Sequence, residues 1–221
     1  MGRWETIEAA GASARQYVAG DETPGMPGTV LLHAWWGLVE DVIAFADRLA
    51  EAGFTVVAPD LVAGKTAATV EDAEALVGGA DEAHGDAVTL AAVDWLADRL
   101  GPDSTLATIG FSFGAAWTLW SAAERDRIKA SVVYYGTMLG PSLGRASVPV
   151  MGHFAANDPF ETDEGVAVFE AALRDAGREV TIHRYPNTGH WFAEPSREAY
   201  RPEAADLAFS RTVEFLRSAL L

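Results

Sequence analysis

The stretch Thr108-Ile109-Gly110-Phe111-Ser112-Phe113-Gly114 decides how this chain is read. Residues 105–111 form a short apolar run of the kind that makes a buried strand, and residues 113–123 continue as an alanine-rich, apolar segment suited to a helix. Between them stands G-x-S-x-G. A strand that passes into a helix across one serine must turn sharply, and glycines two residues to either side remove the side chains that would collide in that turn. The result is a serine hydroxyl lifted above the end of a sheet, with the N-terminus of the next helix beneath it. Ser112 is therefore a candidate nucleophile. The plainer reading of the same residues is a tight structural turn.

Outward from this point the chain alternates between two periods. Residues 29–33, 55–59, 130–135, 149–154 and 179–185 are short β-branched and apolar runs expected to be strands. Residues 41–52 carry Val42, Phe45 and Leu49 at helical spacing and end at Gly53. Residues 82–100 place Val88, Ala92, Trp95 and Leu96 on one face before Gly101-Pro102 stops them. Residues 164–176 turn Val166, Phe169 and Leu173 inward, and residues 203–220 do the same with Phe209, Val213, Leu216 and Leu220. Residues 4–7 and 12–19 are expected to add antiparallel edge strands. The long connection over residues 61–83 reads either as a flap over the site or as inert surface. Nearly continuous apolar strands alternating with helices predict an α/β architecture, a mainly parallel sheet covered on both faces. Ligands of such sheets sit beyond the carboxyl ends of the strands.

Composition narrows the chemistry. With 221 residues, 49% of them hydrophobic, and no linker or repeat, the chain is expected to be one domain spanning residues 1–221. It has no cysteine, so disulfides, iron–sulfur clusters and thiol nucleophiles are excluded. A net charge of −16 repels polyanions and makes nucleic acid an unsuitable partner. No apolar stretch approaches the roughly 20 residues of a membrane span, so no membrane partner and a cytoplasmic location are expected. The acidic and histidine side chains show no tight ligand spacing, so neither metal nor organic cofactor is expected. Nothing in the sequence speaks to oligomeric state.

A serine hydroxyl needs a base, and the base needs a carboxylate to hold its tautomer. Of the five histidines, His190 lies in Tyr185-Pro186-Asn187-Thr188-Gly189-His190-Trp191-Phe192, a loop leaving the last strand, and is the best placed. His153 and His183 lie within strands and His84 opens a helix, while His33 ends the first central strand beside the expected site. Asp158, in Ala155-Ala156-Asn157-Asp158-Pro159, directly follows the strand of residues 149–154, ahead of its rivals Glu161 and Asp163. The chain order Ser112, Asp158, His190 is the order used in the α/β-hydrolase fold. For the oxyanion the expected donors are the backbone N–H groups of Phe113 and of Trp35, in His33-Ala34-Trp35-Trp36-Gly37.

With these residues placed, nearly the whole chain resembles the dienelactone hydrolase family. The resemblance rests on Val57-Ala58-Pro59-Asp60-Leu61, Gly110 to Gly114, Val132-Val133-Tyr134-Tyr135-Gly136, His153 to Phe160, and Tyr185 to Ala193. It implies a compact α/β hydrolase without a separate lid domain. The chain departs from the family's archetype at three positions. The archetype has cysteine where Ser112 stands, and a glutamate where Ala34 stands. It also has an arginine for the substrate carboxylate shortly after its histidine, where this chain has Glu194. An acidic residue there points away from an anionic dienelactone and toward a neutral substrate. Trp36, Tyr134, Tyr135, Trp191 and Phe192 are the candidates to line its pocket.

The expected activity is hydrolysis of a small carboxylic ester or lactone through an acyl-serine. Thioester hydrolysis or acyl transfer uses the same groups, and a binding module on a hydrolase fold without turnover is the reading from another class.

Overall fold

The structure, a computed structural model, describes residues 2–9, 11–139, 145 and 148–221. Its sheet has eight strands: β1 (Arg3–Ala9), β2 (Ala12–Ala19), β3 (Gly28–Leu32), β4 (Thr55–Pro59), β5 (Leu106–Phe111), β6 (Ile128–Tyr134), β7 (Val150–Ala155) and β8 (Val180–Tyr185). They lie in the order β1-β2-β4-β3-β5-β6-β7-β8. β1 pairs antiparallel with β2, and β2 with β4, while every pairing from β4 to β8 is parallel. The expectation of a mainly parallel sheet with antiparallel strands added at one side is borne out. β1 forms the edge and β2 lies one strand inside it.

The helices are α1 (Glu40–Glu51), α2 (Val70–Gly78), α3 (Glu82–Leu100), α4 (Ala115–Glu124), α5 (Asp163–Asp175) and α6 (Pro202–Leu220). Strand alternation sorts them onto two faces. Ile109 and Phe111 of β5 point into one core layer with Phe45 and Leu49 of α1 and Val213 and Leu216 of α6. Val30 and Leu32 of β3 point the other way, into a layer with Val88 and Leu96 of α3 and Trp117 of α4. A third cluster continues that face with Val150, Val166, Phe169 and Leu173. Trp95 and Phe209, expected to face inward, are only half-buried. Each is covered by a guanidinium instead, Arg99 at 4.8 Å over Trp95 and Arg48 at 4.1 Å over Phe209.

α1 leaves β3 over one face, and α3 returns to β5 over the other. β3 and β5 are neighbours, so the chain changes direction between them and opens a crevice at their carboxyl ends. The connection over residues 61–83 contains α2, which the sequence reading did not anticipate. It docks beside the loop after β3, where Ala67 N–H donates to the carbonyl of Trp36 at 3.0 Å. Among the described residues, no helix is long and apolar enough to cross a membrane.

Candidate active site

Ser112 stands at the end of β5 with φ +47°, a left-handed conformation that a non-glycine residue rarely takes. It opens a short 3₁₀ turn, Ser112–Gly114, that feeds α4. Glycine on both sides is required by space. A Cβ on Gly110 would strike the Thr118 hydroxyl and the Gly114 carbonyl, and one on Gly114 would strike the carbonyls of Leu32 and His33. Strain of order 1–3 kcal/mol is held at this elbow by the packing around it, and Ser112 is left partly exposed.

His190 reaches this serine from the loop after β8, with Nε2 2.9 Å from Ser112 Oγ. Its Nδ1 lies 2.7 Å from Oδ2 of Asp158, and the side chains of His190 and Asp158 are 4% and 0% exposed. The loop is fixed by local bonds. Asn157 N–H donates to Thr188 O at 3.0 Å, and Thr188 Oγ1 donates to Tyr185 O at 2.7 Å. Asp158 is itself held, because the N–H groups of Phe160 and Glu161 donate to its Oδ1 at 2.9 and 3.0 Å. The rival carboxylates are occupied elsewhere. Glu161 takes the N–H and hydroxyl of Thr137, and Asp163 pairs with Arg184 at 2.8 Å.

Trp35 and Phe113, the expected oxyanion donors, lie in the loop after β3 and directly after Ser112. Buried His33 shapes the first of these loops. Its Nε2 accepts the N–H of Leu61 at 3.0 Å, which leaves Nδ1–H to donate to Ala34 O at 2.7 Å. Burial lowers its pKa, so the ring is neutral, as this bonding requires.

The expected pocket residues separate into two groups. Trp191 and Trp36 lie near the site, their rings 5.2 Å apart. Tyr134 does not. Its ring stacks 4.5 Å from Phe111 in the core, and its hydroxyl meets Thr212 Oγ1 at 2.8 Å. As an inward residue of β6 it faces the α1/α6 layer rather than the crevice. Phe192 is likewise core, between Tyr135 and Tyr185. Tyr135 is fully buried under His190, with ring centroids 5.0 Å apart. One ring was missed: Phe160 is 49% exposed and 4.9 Å from His190, 5.6 Å from Trp35 and 5.5 Å from Trp191. A lone phenylalanine after a proline gives no periodic signal.

Glu194 corrects the charge argument made from the sequence. It is 3% exposed and accepts the Tyr135 hydroxyl at 2.9 Å, and burial pushes its carboxyl up to about 8. At neutral pH it is mostly protonated and offers a substrate no negative charge. His153 is core, bonded to Tyr185 and Thr212 and kept neutral first by burial and then by His183 and Arg211.

An eight-stranded, mostly parallel sheet with a serine elbow after its central strand defines an α/β hydrolase. The chain belongs to the dienelactone hydrolase family, whose model matches residues 14–220, and with that membership it is a carboxylic ester hydrolase of the dienelactone hydrolase kind. The chain is 30% identical to protein usf of Aquifex pyrophilus, the match covering 100% of both chains. It is 27% identical, over 100% of both chains, to an Aquifex aeolicus protein provisionally named carboxymethylenebutenolidase. Among solved structures, m3DLH superposes with a TM-score of 0.89 at 24% identity, covering 100% of this chain and 99% of that one, a likeness of fold.

Proposed function

We propose that the protein hydrolyses small, neutral carboxylic esters or lactones, with Ser112 as nucleophile, His190 as general base and acid, and Asp158 as the carboxylate that orients His190. The observation that carries this reading is the unbroken pair of hydrogen bonds from Ser112 Oγ to His190 at 2.9 Å and from His190 to Asp158 at 2.7 Å. Ser112 Oγ adds to the carbonyl carbon while its proton passes to Nε2 of His190. The negative charge that develops on the carbonyl oxygen is met by the backbone N–H groups of Trp35 and Phe113. When the tetrahedral centre collapses, the ester C–O bond breaks and the leaving oxygen takes the proton from Nε2. In a lactone that alcohol stays tethered to the acyl group. Water then gives a proton to the same nitrogen and its oxygen to the acyl carbon. Ser112 leaves with the proton and is restored.

Neutral, apolar substrates suit the surroundings of His190, where Phe160, Trp35 and Trp191 present aromatic rings. Glu194 stands where the family's archetype has its arginine, and it supplies no cation.

Hydrolysis of short p-nitrophenyl esters by the wild type and Ser112→Ala tests the reading. Turnover should fall by about 10⁴-fold or more in the variant. Activity that survives the substitution would sink the serine mechanism. A wild type that binds esters but neither turns them over nor is labelled by a fluorophosphonate would favour the binding module.

A further inference from the structure

Tyr135 was expected to touch substrate, yet it is fully buried, and its surroundings give it a different use. Two hydrogen bonds hold the nitrogens of His190, to Ser112 and to Asp158. They leave the imidazole able to tilt about the line between those nitrogens. Among the described residues, three rings resist that tilt: Phe160 at 4.9 Å, Trp191 at 5.0 Å and Tyr135 at 5.0 Å. Phe160 is half-exposed and Trp191 is only partly covered, so Tyr135 is the one fully buried support.

Tyr135 is itself held at both ends. Its backbone N–H donates to His153 O at 2.8 Å just past the end of β6, and its φ is +38°. A tyrosine in that left-handed conformation is strained, and such strain persists where the surroundings enforce it. At the far end its hydroxyl donates to Glu194 Oε1 at 2.9 Å. Glu194 N–H in turn donates to Trp191 O at 3.0 Å, closing a turn that begins one residue after His190. The hydroxyl therefore clips the floor beneath the imidazole to the short turn that directly follows His190.

The carboxyl of Glu194 makes little sense as a charge. It is 3% exposed, and its Oε2 has no hydrogen-bond partner among the described residues. Burying a carboxyl with one oxygen unpaired is costly, and a leucine there would avoid the penalty. What a leucine cannot do is accept the Tyr135 hydroxyl. We infer that Tyr135 and Glu194 are a positioning pair that fixes the imidazole of His190 for proton transfer, with Glu194 acting as a hydrogen-bond acceptor rather than as an anion. This rests on the reading of Ser112, His190 and Asp158 given above.

The test compares Tyr135→Phe, which keeps the ring, Glu194→Leu, which removes the acceptor, and Glu194→Gln, which keeps it. Steady-state kinetics on a p-nitrophenyl ester should show kcat about tenfold lower in the first two, with KM little changed, and the acid limb of the pH–rate profile displaced. Glu194→Gln should restore kcat to within about twofold of wild type and return the acid limb to its place. A second readout needs no turnover: the ring nitrogen resonances of His190, assigned by their loss in His190→Ala, followed by NMR across pH. They should move in Tyr135→Phe and Glu194→Leu and stay put in Glu194→Gln. Wild-type kcat and unmoved resonances in Tyr135→Phe would overturn the pair, as would a Glu194→Gln as impaired as Glu194→Leu. Should Ser112→Ala leave hydrolysis intact, the assignment of the reacting groups fails, and the resonances still judge the pair.

Discussion

Asp158 divides its two oxygens between two tasks: Oδ2 meets Nδ1 of His190 at 2.7 Å, while Oδ1 accepts the backbone N–H groups of Phe160 and Glu161. The second task fixes the carboxylate and the first uses it. Asn in place of Asp would keep an oxygen for the loop and turn an NH₂ group toward His190. That would force Nδ1 to accept and Nε2 to carry the proton, so the imidazole could no longer act as the proposed base toward Ser112. Asp158→Asn is expected to lower kcat by about 10³- to 10⁴-fold with the melting temperature nearly unchanged. An Asn variant with most of its activity would show that His190 does not depend on this partner.

Phe160 leaves half its ring to solvent beside His190, between Trp35 and Trp191. Exposed aromatic surface next to the proposed general base is available to an apolar acyl chain or ring. Phe160→Ala should therefore lower kcat/KM for a benzoate or butyrate ester about five- to tenfold more than for the acetate, a difference of roughly 1–1.4 kcal/mol. The ratio of the two specificity constants is the measurement. An unchanged ratio would make Phe160 a shield for His190 and nothing more.

Much of this was legible in the sequence because it depends on spacing. The helices over 82–100 and 164–176 announce themselves through apolar residues three and four apart, and the serine elbow through its glycines. α2 was overlooked because Ala73 is its one buried residue, so it carries almost no apolar stripe. Its start was nonetheless written: Thr69 is an N-cap whose Oγ1 accepts the N–H of Asp72 at 3.1 Å and donates to Asp72 Oδ2 at 2.8 Å. The roles of Tyr134, Phe192 and Glu194 depend on burial, which a residue's neighbours in the chain do not determine. Tyr134 and Tyr135 are adjacent, yet one packs on Phe111 and the other on His190. Glu194 reads as an anion until the protein removes it from water.

That removal has a measurable consequence for stability. Burial, set against the Tyr135 hydrogen bond and the neighbouring Arg197 and reinforced by Asp41, raises the Glu194 carboxyl from 4.5 to about 8. Between these values the folded state keeps a proton that the unfolded chain has lost, so the contribution is whole below pH 4.5 and falls as pH rises toward 8. The slope is about 1.4 kcal/mol per pH unit. Glu194→Gln removes this dependence. The variant should match the wild type near pH 5 and melt at least about 5 °C higher at pH 7–8, as followed by thermal denaturation across pH. A constant gap between the two curves would mean that Glu194 is charged in the folded protein.

His33 ties the loop after β3 to the loop after β4, through Leu61 N–H on one nitrogen and the Ala34 carbonyl on the other. The bond to Ala34 falls one residue before Trp35, whose N–H is the proposed second oxyanion donor. His33→Ala would leave a buried N–H and a buried C=O unpaired and open a cavity, for about 2–4 kcal/mol of lost stability. It should also let the Trp35 amide drift, costing about 10- to 100-fold in kcat with little change in KM, because the oxyanion exists only after attack. His33→Gln, with one donor and one acceptor at the end of its side chain, should recover part of both. Stability and kcat measured together in the two variants separate the possibilities. If kcat stays at the wild-type level while the melting temperature falls, His33 supports the fold and the Trp35 amide is held by something else.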